Sequence, residues 1–399
     1  MKAISSSLLL ALLNAGSALV VGIVMARWLG PNGQGELSAA MTIGAVTTLV
    51  LPLGTGTAMR LVDGHDEAHR VRAFVLFSMG AGFLAGLLAT PLCVAIGLDP
   101  APAAAAGAVA ALMLLGRQSS DYVQARGHVY LSIASVGLGS CVQLLFVLLL
   151  RLTGQITLTG CFCGLGVGAL VQSAVCIWLG GRPLLDSRGP MAPVLRELVA
   201  IGWPTLGFGL GLLVLQRADR LVVATLAGSQ ANGYYSMAAT VAEGARLLSV
   251  IVGQVLFVRV AQAGRIGRDV LRLAAVALVL QAAFSIAAGL AAPQIVDLLF
   301  GSQYQRSIGI LPVLLLAESF MALGLLGSRL LMGVKQVKFV GLCTAVVASV
   351  SLVAYYFFVR GMGAMGAAIA SCVVYGIFGF VVLAKVAQEI GQEKRSRNV

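Results

Sequence analysis

Charge is scarce in this chain. Asp, Glu, Lys and Arg make up 11% of its 399 residues, the hydrophobic class reaches 59%, and the mean hydropathy is +0.96. So little charge excludes a soluble fold and points to an integral membrane protein. Long polar connections are also missing: no segment between apolar runs exceeds about 20 residues, too few for a soluble catalytic module of roughly 50 residues or more. No basic stretch has the length or the interleaved aromatics of a nucleic-acid face, so the net charge of +12 has another origin. There is no HExxH order. His65 and His69 stand at helical i, i+4 spacing, but in a charged loop, and no metal site is expected there. The seven cysteines, Cys93, Cys141, Cys161, Cys163, Cys176, Cys343 and Cys372, all lie in apolar segments, where they act as small packing residues rather than disulfide partners or thiolate ligands. Redox chemistry and a bound organic cofactor are not indicated.

What is present is a series of apolar runs. A hydrocarbon core about 30 Å thick takes roughly 20 helical residues. The runs divide into twelve such pieces: 4–28, 35–57, 73–97, 101–119, 129–150, 156–179, 198–226, 231–257, 270–293, 306–331, 337–359 and 364–386. Met1-Lys2 and the run after it resemble a signal peptide, but the run continues uncharged to Ala26, longer than an h-region of roughly 7–15 residues, and is expected to be retained as the first span.

Lysine and arginine mark the cytoplasmic side. With the N-terminus inside, roughly 20 basic residues fall on inner loops and about four, Arg27, Arg151, Arg306 and Arg360, on outer ones. Both termini are therefore expected in the cytoplasm, and the excess of positive charge is largely a topology signal. Arg60, Arg70 and Arg72 are expected to meet anionic lipid heads, and Lys394-Arg395-Ser396-Arg397 to form a solvated tail or lipid contact.

Two short segments repeat at one offset. Gly30-Pro31-Asn32-Gly33-Gln34-Gly35-Glu36-Leu37-Ser38 falls on Gly228-Ser229-Gln230-Ala231-Asn232-Gly233-Tyr234-Tyr235-Ser236, and Gly168-Ala169-Leu170-Val171-Gln172-Ser173 falls on Gly366-Ala367-Ala368-Ile369-Ala370-Ser371, both 198 positions on. The chain thus looks like two copies of one unit, with bundles expected at 1–190 and 191–399. Six spans per copy is an even number, so the second copy enters the membrane in the same direction as the first, the parallel-repeat plan of many transporters.

These residues resemble the polysaccharide transporter and O-antigen flippase branch of the multidrug, oligosaccharidyl-lipid and polysaccharide (MOP) superfamily. The resemblance rests on Ala26-Arg27-Trp28-Leu29-Gly30-Pro31-Asn32-Gly33-Gln34-Gly35, on Ala218-Asp219-Arg220-Leu221 leading to Gly233-Tyr234-Tyr235-Ser236, on Leu299-Phe300-Gly301, and on the run from Arg360-Gly361-Met362-Gly363 to Ala370. It implies an all-α membrane protein with two parallel six-helix bundles in a V around a central cavity. It also implies a polyprenyl-pyrophosphate-linked oligosaccharide as substrate, a bacterial cytoplasmic membrane, and membrane lipids, a polysaccharide polymerase and export machinery as partners. Twelve spans are fewer than the fourteen of lipid II flippases, which speaks against a peptidoglycan role. Ser229 replaces Pro31 in the second copy, so a function of that proline does not carry over. The glycines themselves are expected to cap and turn helices rather than to touch substrate.

Ionisable groups inside a bilayer are costly and so are functional candidates. The seventh span carries Gln216, Arg217, Asp219 and Arg220, and the eighth Glu243 and Arg246. Measured from an outer turn near Ala231, Asp219 and Glu243 lie at similar depth, while Arg217/Arg220 and Glu243/Arg246 share faces at i, i+3. Two arrangements fit: a mutually neutralising lattice, or arginines facing a cavity for pyrophosphate or acidic sugars, for which the bidentate guanidinium is suited. Three arginines against two carboxylates leave one positive charge. Glu318 stands alone in the tenth span, placed to bind H⁺ or Na⁺ as a coupling ion or to pair with an arginine of another span. Asp219 and Glu243 are further coupling candidates. Asn14, Gln143 and Gln172 could bond sugar hydroxyls or act as polar glue between helices. A drug or small-molecule antiporter of the same superfamily is the alternative function, and should prefer an acidic cavity. A glycan polymerase or ligase should carry a large outer loop, which is missing here.

Overall fold

The computed structural model describes residues 2–61, 67–154, 156–180 and 191–397, with side chains from residue 16 onward except at 18, 67, 68, 205 and 393–397. Every regular element described is helical: α1 (Lys2–Val50), α2 (Thr55–Leu61), α3 (Glu67–Ala95), α4 (Pro100–Ala125), α5 (Val129–Leu152), α6 (Leu158–Leu179), α7 (Met191–Ala227), α8 (Ser229–Ala263), α9 (Arg268–Leu290), α10 (Ala292–Phe300), a 3₁₀ turn (Ser302–Tyr304), α11 (Ser307–Gly333) and α12 (Val337–Arg397). Among the described residues eight helices are long and apolar enough to cross a membrane, or ten when each of two bent pairs is one span. Large apolar side chains such as Phe83, Leu152, Trp178 and Leu290 stand at 74% exposure or more, a surface that only lipid would cover.

Two of these helices each hold two spans. The 61 residues of α12 would run about 90 Å if straight, three times the hydrocarbon thickness. At Gly363 the backbone leaves the helix (φ 59°, ψ −138°), and beyond it the chain returns: Tyr355 and Ser371, about 24 Å apart in a straight helix, lie 3.2 Å apart. Helix α1 breaks likewise at Gly30 (φ 69°, ψ 178°). Before the break Met25 and Trp28 meet Gln143 and Arg151 of α5, so the run climbs parallel to α5. After it the chain descends along α4, which is antiparallel to α5. The twelve expected spans all have helical counterparts once these breaks are counted.

The repeat is present in the backbone. Gly30 and Gly228, matched by the 198-residue offset, share a positive-φ extended conformation (69°, 178° and 89°, 165°) that side-chain-bearing residues rarely adopt. Gly168 and Gly366 both sit where two helices nearly touch. A methyl added at Gly168 would lie 2.8 Å from the Gly139 carbonyl, and one at Gly366 2.0 Å from that of Phe358. Gly366→Ala is therefore expected to abolish folded protein in the membrane, whereas Gly361→Ala, with open space around it, leaves the yield unchanged. Fluorescence-detected size exclusion of the two tagged variants checks this.

Several helix boundaries differ from the sequence expectation, some by six residues or more, and three of the differences involve a proline. The second span stops at Val50 instead of 57, because Pro52 lacks a backbone donor and Leu53 and Gly54 take positive φ (50° and 77°) before α2 resumes at a 45° bend. The ninth span ends at Leu290, where Pro293 starts the separate helix α10. Helix α7 starts seven residues earlier than expected, at Met191 rather than 198, and bends by 51° at Pro204.

The chain divides into two compact units, Met1–Leu210 and Gly211–Val399. The division falls inside α7, because Leu198 packs with Ala58, Phe74, Tyr122, Val123 and Cys176 in a core of the first unit. In that unit Gln172 bonds the Gly116 carbonyl and the Ser120 hydroxyl, and Gln143 approaches the Met25 sulfur, so both glutamines join helices to one another. Arg60 meets Asp121 at 3.5 Å and donates to Gln124 at 2.8 Å, so part of its charge is spent inside the protein rather than on lipid.

Candidate functional site: a buried ion lattice in the second unit

Six charged side chains converge in the second unit from α7, α8 and α11. Arg220 meets Glu243 at 2.6 Å, Arg217 meets the other oxygen of Glu243 at 3.3 Å, and Arg246 reaches Glu243 at 3.8 Å, one helical turn along. Arg246 also holds Glu318 with both carboxylate oxygens, at 2.9 and 3.1 Å. The lattice is closed at one end and open at the other. The Arg246 and Glu318 side chains are 10% and 7% exposed, whereas Arg217 is 33% and Glu243 18% exposed.

Asp219 is held differently. Among the described residues no guanidinium lies within 4 Å of it; its Oδ2 accepts from the Tyr235 hydroxyl at 2.5 Å, and its Oδ1 from the Arg220 backbone N–H at 2.8 Å. Tyr235 in turn lies 3.4 Å from the Ser371 hydroxyl, which is 3.2 Å from that of Tyr355. Tyr355 and Tyr375 both donate to the Leu215 carbonyl, at 3.3 and 2.9 Å. Asp219, Tyr235, Ser371, Tyr355 and Tyr375 are all buried. Beneath the lattice Gln281 of α9 donates to the Glu318 carbonyl at 3.0 Å and accepts from Ser249 of α8.

Several expectations are corrected by this geometry. Of the two readings of Glu318 the contacts match the pairing one: its cation, Arg246, stands on another span 72 residues away, out of range of any local sequence window. With Glu318 included, three arginines face three carboxylates and the lattice is neutral rather than positive. The turn is at Gly228, not Ala231, so Glu243 lies about 9 Å farther from it than Asp219 and it is Tyr235 that stands opposite the aspartate. Gln216 is half-buried and joins none of these bonds. Asn14, like His65, falls outside the described side chains.

The tyrosines, Ser371 and Gln281 escaped the search for charges. The signal was present, since Tyr235 and Ser371 both stand in the repeated segments. At the same offset the first unit has Val21, Gly22, Leu37, Ala45, Thr48 and Ser120 where the second has Asp219, Arg220, Tyr235, Glu243, Arg246 and Glu318. The lattice therefore belongs to one copy only.

A family model described as polysaccharide biosynthesis protein matches residues 24–309, well over half of the chain. The chain belongs to this polysaccharide biosynthesis family. Among solved structures it is similar to an inward-facing multidrug resistance MATE family transporter of the MOP superfamily, at 16% identity over 96% of each chain and a TM-score of 0.76. It is also similar to the lipid II flippase MurJ in an inward closed conformation, at 13% identity over 97% of this chain and 88% of the other, with a TM-score of 0.77. No curated sequence matches. At such identities the likeness fixes the fold alone: this member of the polysaccharide biosynthesis family is a multi-pass membrane protein that shares its fold with that transporter and that flippase.

Proposed function

We propose that the protein flips a polyprenyl-pyrophosphate-linked oligosaccharide from the inner to the outer leaflet of a bacterial cytoplasmic membrane, by alternating access coupled to an ion. The observation that carries this reading is a neutral lattice of buried ions whose most exposed member is a guanidinium, Arg217, in a member of a polysaccharide biosynthesis family. Buried charges in a bilayer are kept where they bind something. A guanidinium at the open edge can take phosphate oxygens two at a time, while Glu243 holds it in place and the charges of Arg220, Arg246, Asp219 and Glu318 offset one another behind it. An antiporter of cationic drugs would call for an exposed acid at this edge, where the arginine is the more open group. The reading assigns no bond-making chemistry to the protein; a polysaccharide polymerase and export machinery would use what it delivers.

The test is genetic. Deleting the gene is expected to abolish surface polysaccharide while lipid-linked repeat units accumulate on the cytoplasmic side, with both effects reversed by the intact gene. Normal surface polysaccharide in a clean deletion would overturn the proposal.

A further inference from the structure

The three acids of the lattice differ in what surrounds them. Glu243 and Glu318 are held by guanidinium groups, which only donate hydrogen bonds. A proton on either would leave a buried arginine without its counter-ion. Asp219 faces the Tyr235 hydroxyl, with its other oxygen on the Arg220 backbone N–H, and behind Tyr235 stand the hydroxyls of Ser371 and Tyr355. Tyr235, Ser371 and Tyr355 can each donate or accept, so this partner set accommodates a carboxylate and a carboxylic acid equally. A proton arriving on Oδ2 turns that oxygen into a donor toward the Tyr235 hydroxyl. Tyr235 then swings its own hydrogen to Ser371, which accepts it while donating to the Ala367 carbonyl at 3.0 Å. No ion pair breaks and no hydrogen bond is lost.

The same proton changes the charge of the whole lattice. The charged and titratable groups around Asp219 are Arg217 and Arg220 on α7, Tyr235, Glu243 and Arg246 on α8, Glu318 on α11, and Tyr355 and Tyr375 on α12. With Asp219 ionised the six charged side chains sum to zero; with Asp219 protonated they sum to +1. The positive excess is felt at the open edge, where Arg217 stands.

We propose that Asp219 is a proton-binding site linked to an anion site at Arg217, so that each ligand strengthens the binding of the other. The reciprocal strengthening is a thermodynamic necessity once either direction holds. That the anion is a pyrophosphate rests on the flippase reading above; the linkage itself rests on the lattice.

Inorganic pyrophosphate is the probe, titrated into the purified full-length protein by calorimetry at neutral pH in two buffers of different ionisation heat. Wild type is expected to take up more protons per pyrophosphate than Asp219→Asn, the subtraction removing the ligand's own titration. Asp219→Asn, fixed in the neutral state, is expected to bind about tenfold more tightly than wild type at high pH, within the usual range of such couplings. Equal proton uptake by the two proteins, or no binding of pyrophosphate to wild type, overturns the inference. If Asp219→Asn does not accumulate, Tyr235→Phe serves instead: it removes the hydroxyl that can reverse, and is expected to reduce the proton uptake, while unchanged uptake counts against the assignment. Glu318→Gln is the contrast, and loss of uptake there with retention in Asp219→Asn would move the proton to Glu318. A linked proton found alongside normal polysaccharide export in the gene deletion would support this inference and sink the flippase reading alone.

Discussion

Glu318→Gln is expected to destabilise the protein by about 3–5 kcal/mol, the largest stability loss of any single substitution in the lattice. Glu318 is the carboxylate that holds Arg246 with both oxygens, at 2.9 and 3.1 Å, in the closed end of the site. The amide keeps the shape but loses the charge, leaving a buried guanidinium whose remaining acid, Glu243 at 3.8 Å, is already shared with Arg220 and Arg217. The cost is that of an uncompensated charge, not of one hydrogen bond. The double variant Arg246→Met with Glu318→Leu is therefore expected to recover most of the loss, since well-packed apolar pairs commonly replace buried ion pairs without penalty. Thermal melts of detergent-purified protein measure both. A double variant as unstable as the single one would mean that the pair serves packing rather than charge balance.

Arg217→Ala should abolish export while the protein accumulates normally in the membrane. Its side chain is one-third exposed, and among the described residues its ion pair, at 3.3 Å, is to a carboxylate that Arg220 holds more closely. Removing it leaves Glu243 paired, so the fold tolerates the change. What is lost is the guanidinium at the open edge: charged hydrogen bonds contribute about 1.5–3 kcal/mol, or on the order of 10- to 100-fold in affinity for a pyrophosphate. Arg217→Lys, a point charge without the planar fork, is expected to restore export only in part. Complementation of the deletion strain, with membrane protein level checked by immunoblot, reads all three proteins. Full export by Arg217→Ala would remove this residue from the transport path.

Much of the architecture is legible along the chain. The apolar runs mark the helices because a bilayer imposes length and leaves no alternative way to satisfy the backbone. The offset between Gly30 and Gly228 survives in the sequence because both positions need a positive φ, which glycine adopts without strain. Local spacing also predicts that Arg217 and Arg220, and Glu243 and Arg246, share faces, and the contacts of all four confirm it. The interruption at Pro52 and the bend at Pro204 went unread, although a proline inside a span is a visible signal.

The site itself was legible only as a list of charges. Sequence alone determined that this is a helical membrane protein with a glycine-marked repeat, and it located the charges of the seventh, eighth and tenth spans, because hydropathy and glycine conformation are properties of single segments. Only the tertiary structure decided which acid meets which base. Arg246 and Glu318 become partners because α8 and α11 pack side by side, and Asp219 acquires a tyrosine rather than an arginine because the turn at Gly228 sets the depth of α8 against α7. Whether a buried carboxylate is an ion-pair partner or a proton site depends on the groups within about 4 Å of it, and those are delivered by helices far apart in the chain.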